Sequence, residues 1–474
     1  MRRDSRFART KIIGTLGPAS RDPAILGAMI DAGLDVVRIN CSHTDSTELA
    51  EMIAFVRRVA DDHGEPIAVL ADLGGPKIRL GTLESDIPVR TGDEVVLTTD
   101  SSVTTDRRIP AGYPGLADDL KAGNRILIDD GLVQLEVVEA APPDLRCRAL
   151  NDGVLKSRKG INLPGVAISV PSITEKDRRD IAVLVEQPVD FIALSFVRSP
   201  EEVRELRRML EERGRRIPVI AKIEKPEAVD RMDAIIDEAD IVMVARGDLG
   251  VEMPAQDVPL IQKRIIAECN RRNTPVITAT QMLDSMIGHP RPTRAEASDV
   301  ANAVFDGTDT VMLSGETSVG RYPVEAVAMM DRVVRTAETH RRGNPAYFRR
   351  DEAPMARDET ICRSACMMAD EVGARSIICL SRSGRTAQLL SRYRPNVPIV
   401  AFTESMEAVR YLNIVWGVQG ELLDQMGDTD ASLERAAAKA RELGYVDVGD
   451  TAVYTASIPL DETASTNMIT IRTA

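Results

Sequence analysis

The chain has 474 residues, 43% of them hydrophobic, and a formal net charge of −13. This length predicts about three domains, and the negative charge argues against nonspecific binding of nucleic acid and against attraction to an anionic membrane. Six cysteines show neither a CxxC pair nor zinc-ligand spacing, and no long apolar run occurs. We therefore expect reduced thiols, a cytoplasmic location, and neither a membrane nor a nucleic-acid partner.

From Lys11 onward, short apolar strands alternate with amphipathic helices. The predicted strands are residues 11–18, 35–43, 66–75, 190–196, 218–225, 240–248, 275–282 and 309–318. Continuous apolar runs bounded by turn signals are typical of parallel strands buried on both faces. Eight such β-then-α units predict an α/β fold, a closed (β/α)8 TIM-type barrel with its chemistry at the carboxyl ends of the strands. An open doubly wound sheet is the alternative, which the lack of a glycine-rich dinucleotide fingerprint disfavours.

The barrel pattern is interrupted after its third strand. There the helical period disappears and short alternating strands follow, as at 125–128 and 132–138, which predicts an inserted all-β lid domain. The predicted division is an N-terminal arm at 1–9, the barrel at 10–76 and 170–340, the β-rich insertion at 77–169, a linker at 341–356 and a small C-terminal α/β domain for regulation or oligomerisation at 357–474.

The densest chemistry lies between Lys222 and Pro254, a stretch predicted as strand, helix and strand. Lys222 and Glu224 end the first strand, and Arg246 and Asp248 end the second. Alternate residues of a strand point to the same face, so we expect both pairs to face one pocket. Mg²⁺ takes one or two protein carboxylates and leaves its other positions to water and phosphate. A divalent-metal site is one interpretation, and a salt-bridge cluster is the other.

Other strand ends carry groups that suit an anionic substrate. They are Arg38, Asn40, Ser42 and His43 after the second strand, Asp72 after the third, and Ser195, Thr280, Ser314 and Glu316 after later ones. Arginine offers a fixed fork for phosphate, whereas Asn and Ser supply neutral oxygens for water or a monovalent cation. A polar loop with one histidine is also commonly structural.

Further cations lie at the hinges of the predicted insertion. Lys77 and Arg79 follow a Gly-Gly-Pro turn, and Lys159 lies in the return segment. A β domain hinged over the barrel mouth would exclude water, the competing acceptor in phosphoryl transfer. No Walker, HExxH, GxSxG or protein-kinase motif occurs, and the chain has four histidines. Cations and a metal acting on an anionic substrate are the remaining chemistry.

The motifs themselves are familiar. TKIIGTLGPAS, VVRINCSH, DLGGPKIR, KGINLPG, AKIEKPEAV, MVARGDLGVE, TATQMLDSM, RPTRAEASDVANAVFDGTDTVMLSGETSVGRYP and VGDTAVYTASIP follow one another in order. Over nearly its whole length, the chain resembles the pyruvate kinases. The resemblance implies a barrel, an inserted lid and a C-terminal domain. It also implies a glycolytic kinase, a transferase that moves the phosphoryl group of phosphoenolpyruvate to ADP, giving pyruvate and ATP, with Mg²⁺ or Mn²⁺ as the metal.

The resemblance also implies roles for single residues. Glu224 and Asp248 match the metal ligands, and Lys222 matches the lysine that stabilises charge on the phosphoryl group and the enolate oxygen. The other substrate contacts are the phosphate-binding Arg38, the backbone at Gly247 and Asp248, and Thr280, which helps to organise enolate protonation. The positions that bind the nucleotide phosphates correspond to Asn40, His43, Arg79 and Lys159. Ser314 and Glu316 correspond to supporting groups.

One departure concerns a monovalent cation. The family's potassium site corresponds to Asn40, Ser42, Asp72 and Leu73, and the last position is commonly Thr elsewhere. Lys77 stands where potassium-dependent members carry Glu, and its ammonium group can replace the charge of the ion. We therefore expect that K⁺ is not required.

The C-terminal domain contains a loop that resembles the family's effector loop. Its residues are Ser381, Arg382, Ser383, Gly384 and Thr386, and a phosphorylated sugar or a nucleotide is the expected allosteric effector. The competing interpretation is a simple capped helix start. Family likeness alone implies a homotetramer. Two rival functions stay open, namely a metal-dependent pyruvate-enolate lyase or aldolase and an inactive metabolite-binding homologue.

Overall fold

The computed structural model describes residues 8–100, 108–166, 168–340, 355–424, 426–458 and 465–474. Within these ranges no helix has the length and apolar character needed to cross a bilayer. The predicted arm and linker lie almost entirely outside the described residues, in 1–7 and 341–354.

The first half of the barrel supplies three strands and two helices. They are β1 (Lys11–Thr15), α1 (Pro23–Asp31), β2 (Val36–Asn40), α2 (Ser46–His63) and β3 (Ala68–Asp72), with a 3-10 turn at Cys41–His43. Asp22 and Asp45 cap the two helices by accepting hydrogen bonds from first-turn N–H groups. Helix α2 ends at Gly64, whose φ of +66° is a conformation that favours glycine.

The insertion after β3 forms a β-rich lid, a name we use for its described residues between 77 and 169. It contains β4 (Ile87–Val89), β5 (Glu94–Thr98), β6 (Arg108–Pro110), α3 (Leu116–Asp119), β7 (Arg125–Ile128), β8 (Val133–Ala141), β9 (Asp144–Ala149), β10 (Gly153–Leu155) and β11 (Ile161–Asn162). Six strands form a sheet in the order β11-β7-β8-β9-β5-β6, and β10 pairs with β4. Alternate residues Val133, Leu135 and Val137 of β8 are buried, as the period-2 pattern predicts.

The second half of the barrel supplies five more strands. Its elements are α4 (Glu175–Leu184), β12 (Phe191–Leu194), α5 (Pro200–Glu211), β13 (Val219–Ile223), α6 (Pro226–Asp230), α7 (Met232–Glu238), β14 (Ile241–Ala245), α8 (Arg246–Glu252), α9 (Val258–Arg272), β15 (Val276–Ala279), α10 (Arg294–Asp306), β16 (Thr310–Leu313), α11 (Gly315–Ser318) and α12 (Pro323–His340). The eight parallel strands close in the order β1-β16-β15-β14-β13-β12-β3-β2. The predicted (β/α)8 barrel is therefore confirmed, and the open sheet is excluded.

A separate α/β domain covers the amino-terminal end of the barrel. It consists of α13 (Arg357–Glu371), β17 (Ser376–Leu380), α14 (Arg385–Arg392), β18 (Ile399–Thr403), α15 (Met406–Leu412), β19 (Val418–Leu422), α16 (Thr429–Glu442), β20 (Thr451–Ala456) and β21 (Met468–Thr473). Its sheet has the order β19-β18-β17-β20-β21, with only β21 antiparallel. The buried Arg394 of this domain lies 2.6 Å from Asp309, which precedes β16. The carboxyl ends of the barrel strands thus remain for the lid.

The structure corrects one local prediction. Strand β14 ends at Ala245, and Arg246 and Asp248 lie in the first turn of helix α8 rather than on one face of a strand. Two positions apart on a helix correspond to about 200° of rotation, so the two side chains diverge. The arginine therefore does not join the carboxylates in a shared pocket.

Candidate active site

Three strand ends bring one carboxylate and two cations together. Asp72 ends β3 beside Asn40 of β2 and Ala193 of β12. Arg38 of β2 donates to Asp72 Oδ2 from Nε at 2.8 Å and lies 2.6 Å from it through Nη2. Lys222 Nζ lies 3.2 Å from the other oxygen, Oδ1. One buried carboxylate therefore holds both cations at the barrel mouth.

Lys222 has three partners and little exposure. Its ammonium group donates to Ser195 Oγ at 2.7 Å and lies 2.9 Å from Glu224 Oε1, and the residue is 8% exposed. Burial would lower the pKa of Lys222, but the attraction of Asp72 and Glu224 outweighs it and raises the pKa above its ordinary value. The lysine is held as a cation.

The same charges act on Asp72. Burial would raise the pKa of its carboxyl group, yet Lys222 and Arg38 outweigh burial and hold the pKa below its ordinary value. The Asp72 side chain is therefore ionised and paired with both cations. Arg38 Nη1 also donates to Thr15 Oγ1 at 3.1 Å, and Thr15 donates to Leu313 O at 2.9 Å. These bonds fix the direction of the guanidinium group.

The attraction of Lys222 only partly offsets the cost of burying the Glu224 carboxylate. Its Oε2 accepts from Phe196 N at 2.7 Å, and its buried Oε1 lies 2.9 Å from Lys222 Nζ. Burial raises the pKa of Glu224 despite the opposing attraction of Lys222, and the charge of Asp248 raises it further. A bound cation would offset the repulsion between the two carboxylates, so the pair fits a divalent metal.

No larger metal-binding cluster competes with this pair. Across the described residues, no group of three or more His, Cys, Asp or Glu side chains has a suitable arrangement. Mg²⁺ needs only one or two carboxylates because water and substrate phosphate fill its other positions. Glu224 and Asp248 thus remain the candidates for this metal.

The neighbouring strand end is held in an unusual conformation. Thr280 follows β15 with a φ of +72°, and Gln281 has a φ of +52°, a region that non-glycine residues rarely adopt. Gly247 N donates to Thr280 Oγ1 at 2.6 Å. Arg246 donates to Thr280 O at 2.8 Å and to Asp299 Oδ1 at 2.8 Å. Arg246 therefore holds the turn at Thr280 through its backbone oxygen.

Ser314 and Glu316 act as supports at the last strand end. The buried Glu316 accepts from Ser314 N at 2.7 Å and from Leu283 N at 3.0 Å. Burial raises the pKa of Glu316, and those backbone bonds oppose the rise. The residue therefore connects the loops that follow β15 and β16.

The proposed nucleotide-binding groups are spread between the barrel and the lid. Arg79 pairs with Gly160 by a β-bridge that joins the two hinge segments. Lys159 lies in the return segment, 2.9 Å from Asp129 Oδ1, and this partner raises the pKa of Lys159. Asn40 Oδ1 accepts from Ser42 N at 3.0 Å. The side chain of His43 lies outside what the structure describes.

The residues matched to a potassium site are already engaged with the protein. Asp72 is paired with Arg38 and Lys222, and the backbone oxygen of Leu73 accepts from Ser195 Oγ at 2.8 Å. Lys77 is exposed and lines a narrow cavity with Asp248 between the lid and the barrel.

The candidate effector loop connects β17 to α14. Gly384 precedes the helix with a φ of +81°, and Ser383 is exposed. Thr386 Oγ1 lies 2.7 Å from Thr466 Oγ1, and Arg382 donates to Met426 O at 3.2 Å. The backbone of Ser381 donates to Phe402 O at 3.0 Å. The loop is thus anchored at both ends, with its centre exposed.

Sequence reasoning missed a second buried ion pair near the metal candidates. Lys225 Nζ donates to Glu252 Oε1 at 2.6 Å, and Asn162 Nδ2 of the lid donates to the same oxygen at 2.9 Å. Lys222 lies within a continuous apolar run, whereas Lys225 and Glu252 have fewer apolar neighbours in the sequence. Their burial was therefore not evident from the sequence. The only signal was that both lie within a stretch rich in motifs.

Comparisons with known proteins agree with this architecture. A family model described as the pyruvate kinase barrel domain matches residues 7–327, and one described as the pyruvate kinase alpha/beta domain matches 359–472. The pyruvate kinase of Geobacillus stearothermophilus is 45% identical over 98% of this chain and 80% of its own length. Pyruvate kinase 2 of a Synechocystis strain is 42% identical over 98% of this chain and 79% of its own.

A solved structure agrees as well. The crystal structure of a pyruvate kinase from Cryptosporidium parvum matches with a TM-score of 0.93 at 36% identity, covering 99% of this chain and 96% of that one. The closed barrel with its inserted lid is thus shared with a phosphotransferase of known structure. The chain belongs to the pyruvate kinase family, and it is an enzyme of this type.

Proposed function

We propose that the protein transfers the phosphoryl group of phosphoenolpyruvate to ADP, with these residues in the roles given below. The bond between phosphorus and the enolate oxygen breaks, a bond to the terminal phosphate oxygen of ADP forms, and the enolate carbon takes up a proton to give pyruvate. The observation that carries the proposal is the buried, cationic Lys222 beside Arg38 at the barrel mouth. Phosphoryl transfer depends mainly on such positioning and charge stabilisation.

Lys222 acts as a fixed positive charge. Because its pKa is raised, the ammonium group stays protonated and stabilises the oxygen that becomes an enolate. Arg38 receives the substrate phosphate with a planar fork whose direction is set by Asp72 and Thr15. Both cations are preorganised before substrate binds, which lowers the reorganisation needed in the transition state.

The substrate carboxylate is assigned to the start of helix α8. The backbone at Gly247 and Asp248 lies there, and a substrate carboxylate would take over the hydrogen bond that Gly247 N now donates to Thr280 Oγ1 at 2.6 Å. Thr280 lies beside this site and orients the proton delivered to the enolate carbon. Its hydroxyl group already accepts from Gly247 N.

Glu224 and Asp248 would hold Mg²⁺ or Mn²⁺. The metal would supply positive charge for the phosphoryl oxygens and the enolate. The repulsion between the two carboxylates supports this assignment, since the charge of Asp248 adds to burial in raising the pKa of Glu224. On the lid side, Arg79 and Lys159, with Asn40 and His43 of the barrel, would receive the phosphates of ADP.

A coupled assay of pyruvate formation, with and without ADP, tests the reaction. We expect pyruvate only when both ADP and a divalent metal are present. Pyruvate formation without ADP would indicate a lyase or a phosphatase and overturn the proposal. A protein that binds substrates without turnover would instead be an inactive homologue.

We also propose that the enzyme does not require K⁺. Asp72, which matches a potassium ligand, already has its charge balanced by two cations, and Lys77 adds a third at the rim of the cavity with Asp248. Turnover with K⁺ replaced by a non-activating organic cation is expected to stay within about twofold. A loss of turnover of about tenfold or more would contradict this proposal.

Regulation, assembly and location are proposals of the same kind. A phosphorylated sugar or a nucleotide would bind residues 381–386. Adding sugar phosphates or AMP should then shift the substrate concentration that gives half-saturation. An unchanged saturation curve would count against this regulation. A cytoplasmic homotetramer is proposed from likeness to the family alone. Light scattering that gives a monomer would overturn the tetramer.

A further inference from the structure

The carboxylate of Glu252 joins the lid to the barrel. Its Oε1 accepts from Lys225 Nζ of the barrel at 2.6 Å and from Asn162 Nδ2 of the lid at 2.9 Å. Asn162 ends the last lid strand, β11, just before the chain returns to the barrel. We call Asn162, Glu252 and Lys225 the lid latch.

The latch is buried and unevenly satisfied. The side chains of Lys225 and Glu252 are 9% and 1% exposed, and Glu252 Oε2 has no hydrogen bond. A buried ion pair recovers its desolvation cost only when further hydrogen bonds complete it. The bond from Asn162 is therefore a substantial part of what stabilises the carboxylate, and it is available only when the lid lies against the barrel.

The latch is connected to both proposed metal ligands. Lys225 directly follows Glu224, and Glu252 lies one helical turn after Asp248 in α8. Lys225 Nζ also lies 5.8 Å from the centre of the Phe196 ring. The backbone of that phenylalanine, strained at a φ of +56°, donates to Glu224 Oε2 at 2.7 Å.

A small cavity beside the latch is also lined by one of the proposed metal ligands. A narrow cavity of about 20 Å³ lies between the lid and the barrel, and Asn162, Lys225, Phe196 and Asp248 contribute to its walls. Two latch residues, Asn162 and Lys225, thus line the same cavity as Asp248, and Phe196 links Lys225 to Glu224.

We infer that the lid latch couples closure of the lid to the geometry of the metal site, with Asn162, Glu252 and Lys225 as positioning residues. This inference rests on the proposed function, since it takes Glu224 and Asp248 as the metal ligands. Coupling of this kind is reciprocal. A closed lid tightens metal binding, and a bound metal favours the closed lid.

The test compares Asn162→Ala with Asn151→Ala. Asn162→Ala removes the lid half of the latch and leaves the Lys225 and Glu252 pair intact. Asn151 is a matched control within the lid, because its side chain donates only to Leu132 O and Asp152 O and accepts from Gln134 N. Neither change leaves a buried charge unpaired, so both variants should fold.

Two readouts do not depend on turnover. The first is hydrogen exchange of residues 157–165, and the second is the dissociation constant of Mn²⁺ measured by equilibrium dialysis without substrates. For Asn162→Ala we expect faster exchange and Mn²⁺ binding weakened about tenfold, the usual scale of one hydrogen bond to a charged group. Asn151→Ala should leave Mn²⁺ binding within twofold of the wild type.

A kinetic readout separates positioning from general damage. With Asn162→Ala, KM for ADP should rise and more phosphoryl groups should reach water, measured as pyruvate formed in excess of ATP. Equal Mn²⁺ affinity and equal exchange in the two variants would overturn the latch. If the wild type binds Mn²⁺ but forms no pyruvate from phosphoenolpyruvate and ADP, the proposed function fails, and the exchange and dialysis results still decide the latch.

Discussion

Replacing Lys222 with Met should abolish phosphoryl transfer while leaving metal binding largely intact. The substitution keeps most of the side-chain volume and removes the ammonium group that lies 3.2 Å from Asp72 and 2.9 Å from Glu224. At an effective dielectric of about 20, a charge some 4 Å away contributes roughly 4 kcal/mol. Loss of that stabilisation from the developing enolate corresponds to a fall in kcat of about 10³-fold.

The assay measures ADP-dependent pyruvate formation and, separately, Mn²⁺ binding by equilibrium dialysis. Lys11→Met is the matched control, because Lys11 is also buried, at 1% exposure, beside a carboxylate, but lies at the opposite end of the barrel. The control variant should retain kcat within about threefold. Turnover of Lys222→Met within about tenfold of the wild type, roughly 1.4 kcal/mol of barrier, would refute the role given to Lys222.

Three further perturbations have defined outcomes. Arg246→Lys cannot hold both Thr280 O and Asp299 with a planar fork, so steady-state kinetics should show kcat lowered about tenfold or more, and an effect no larger than that of the exposed Arg271→Lys would contradict the role. Arg394→Met leaves Asp309 buried and unpaired, which should cost about 3–5 kcal/mol in unfolding experiments; an unchanged midpoint would argue against it. Burial raises the pKa of Asp35 from 3.8 to about 6, with Lys11 opposing the rise; the folded state therefore binds the proton more tightly, and stability falls as pH rises through 6. Asp35→Asn should remove this dependence, so its melting temperature relative to the wild type should be higher at pH 7.5 than at pH 5, and parallel curves for the two proteins would disprove it.

The barrel could be predicted because its signals are local. Each strand is a short, continuous apolar run that ends in polar residues, as at Lys222 and Glu224. Such a run predicts a buried strand from its own residues, without knowledge of the rest of the chain. The convergence of Arg38, Asp72 and Lys222 then follows from closure of the barrel, since parallel strands place their carboxyl ends at one mouth.

The turn from β14 into α8 could not be predicted in the same way. The residues after Ala245 form a helix of only seven residues, Arg246–Glu252, which is too short to display a clear 3.6-residue period. Continuing the strand by three residues placed Arg246 and Asp248 on one face, whereas the helix sends the arginine to Asp299. A boundary error of this size reverses the direction of a functional side chain.

Contacts between the lid and the barrel lie beyond sequence patterns for a different reason. Asn162 and Glu252 are 90 positions apart, and neither residue type nor spacing indicates that they meet. Their pairing depends on the angle at which the lid closes, and that angle is set by packing at two hinges.

The charge balance around Asp72 explains how two cations can be in place before substrate binds. The carboxylate pairs with Lys222 through Oδ1 and with Arg38 through Oδ2, so both cations are held in place before any ligand arrives. When the phosphate of a substrate approaches, each cation can add a ligand contact without first being desolvated, because the protein has already excluded water from it. Removing Asp72 would therefore release the cations rather than free them for catalysis.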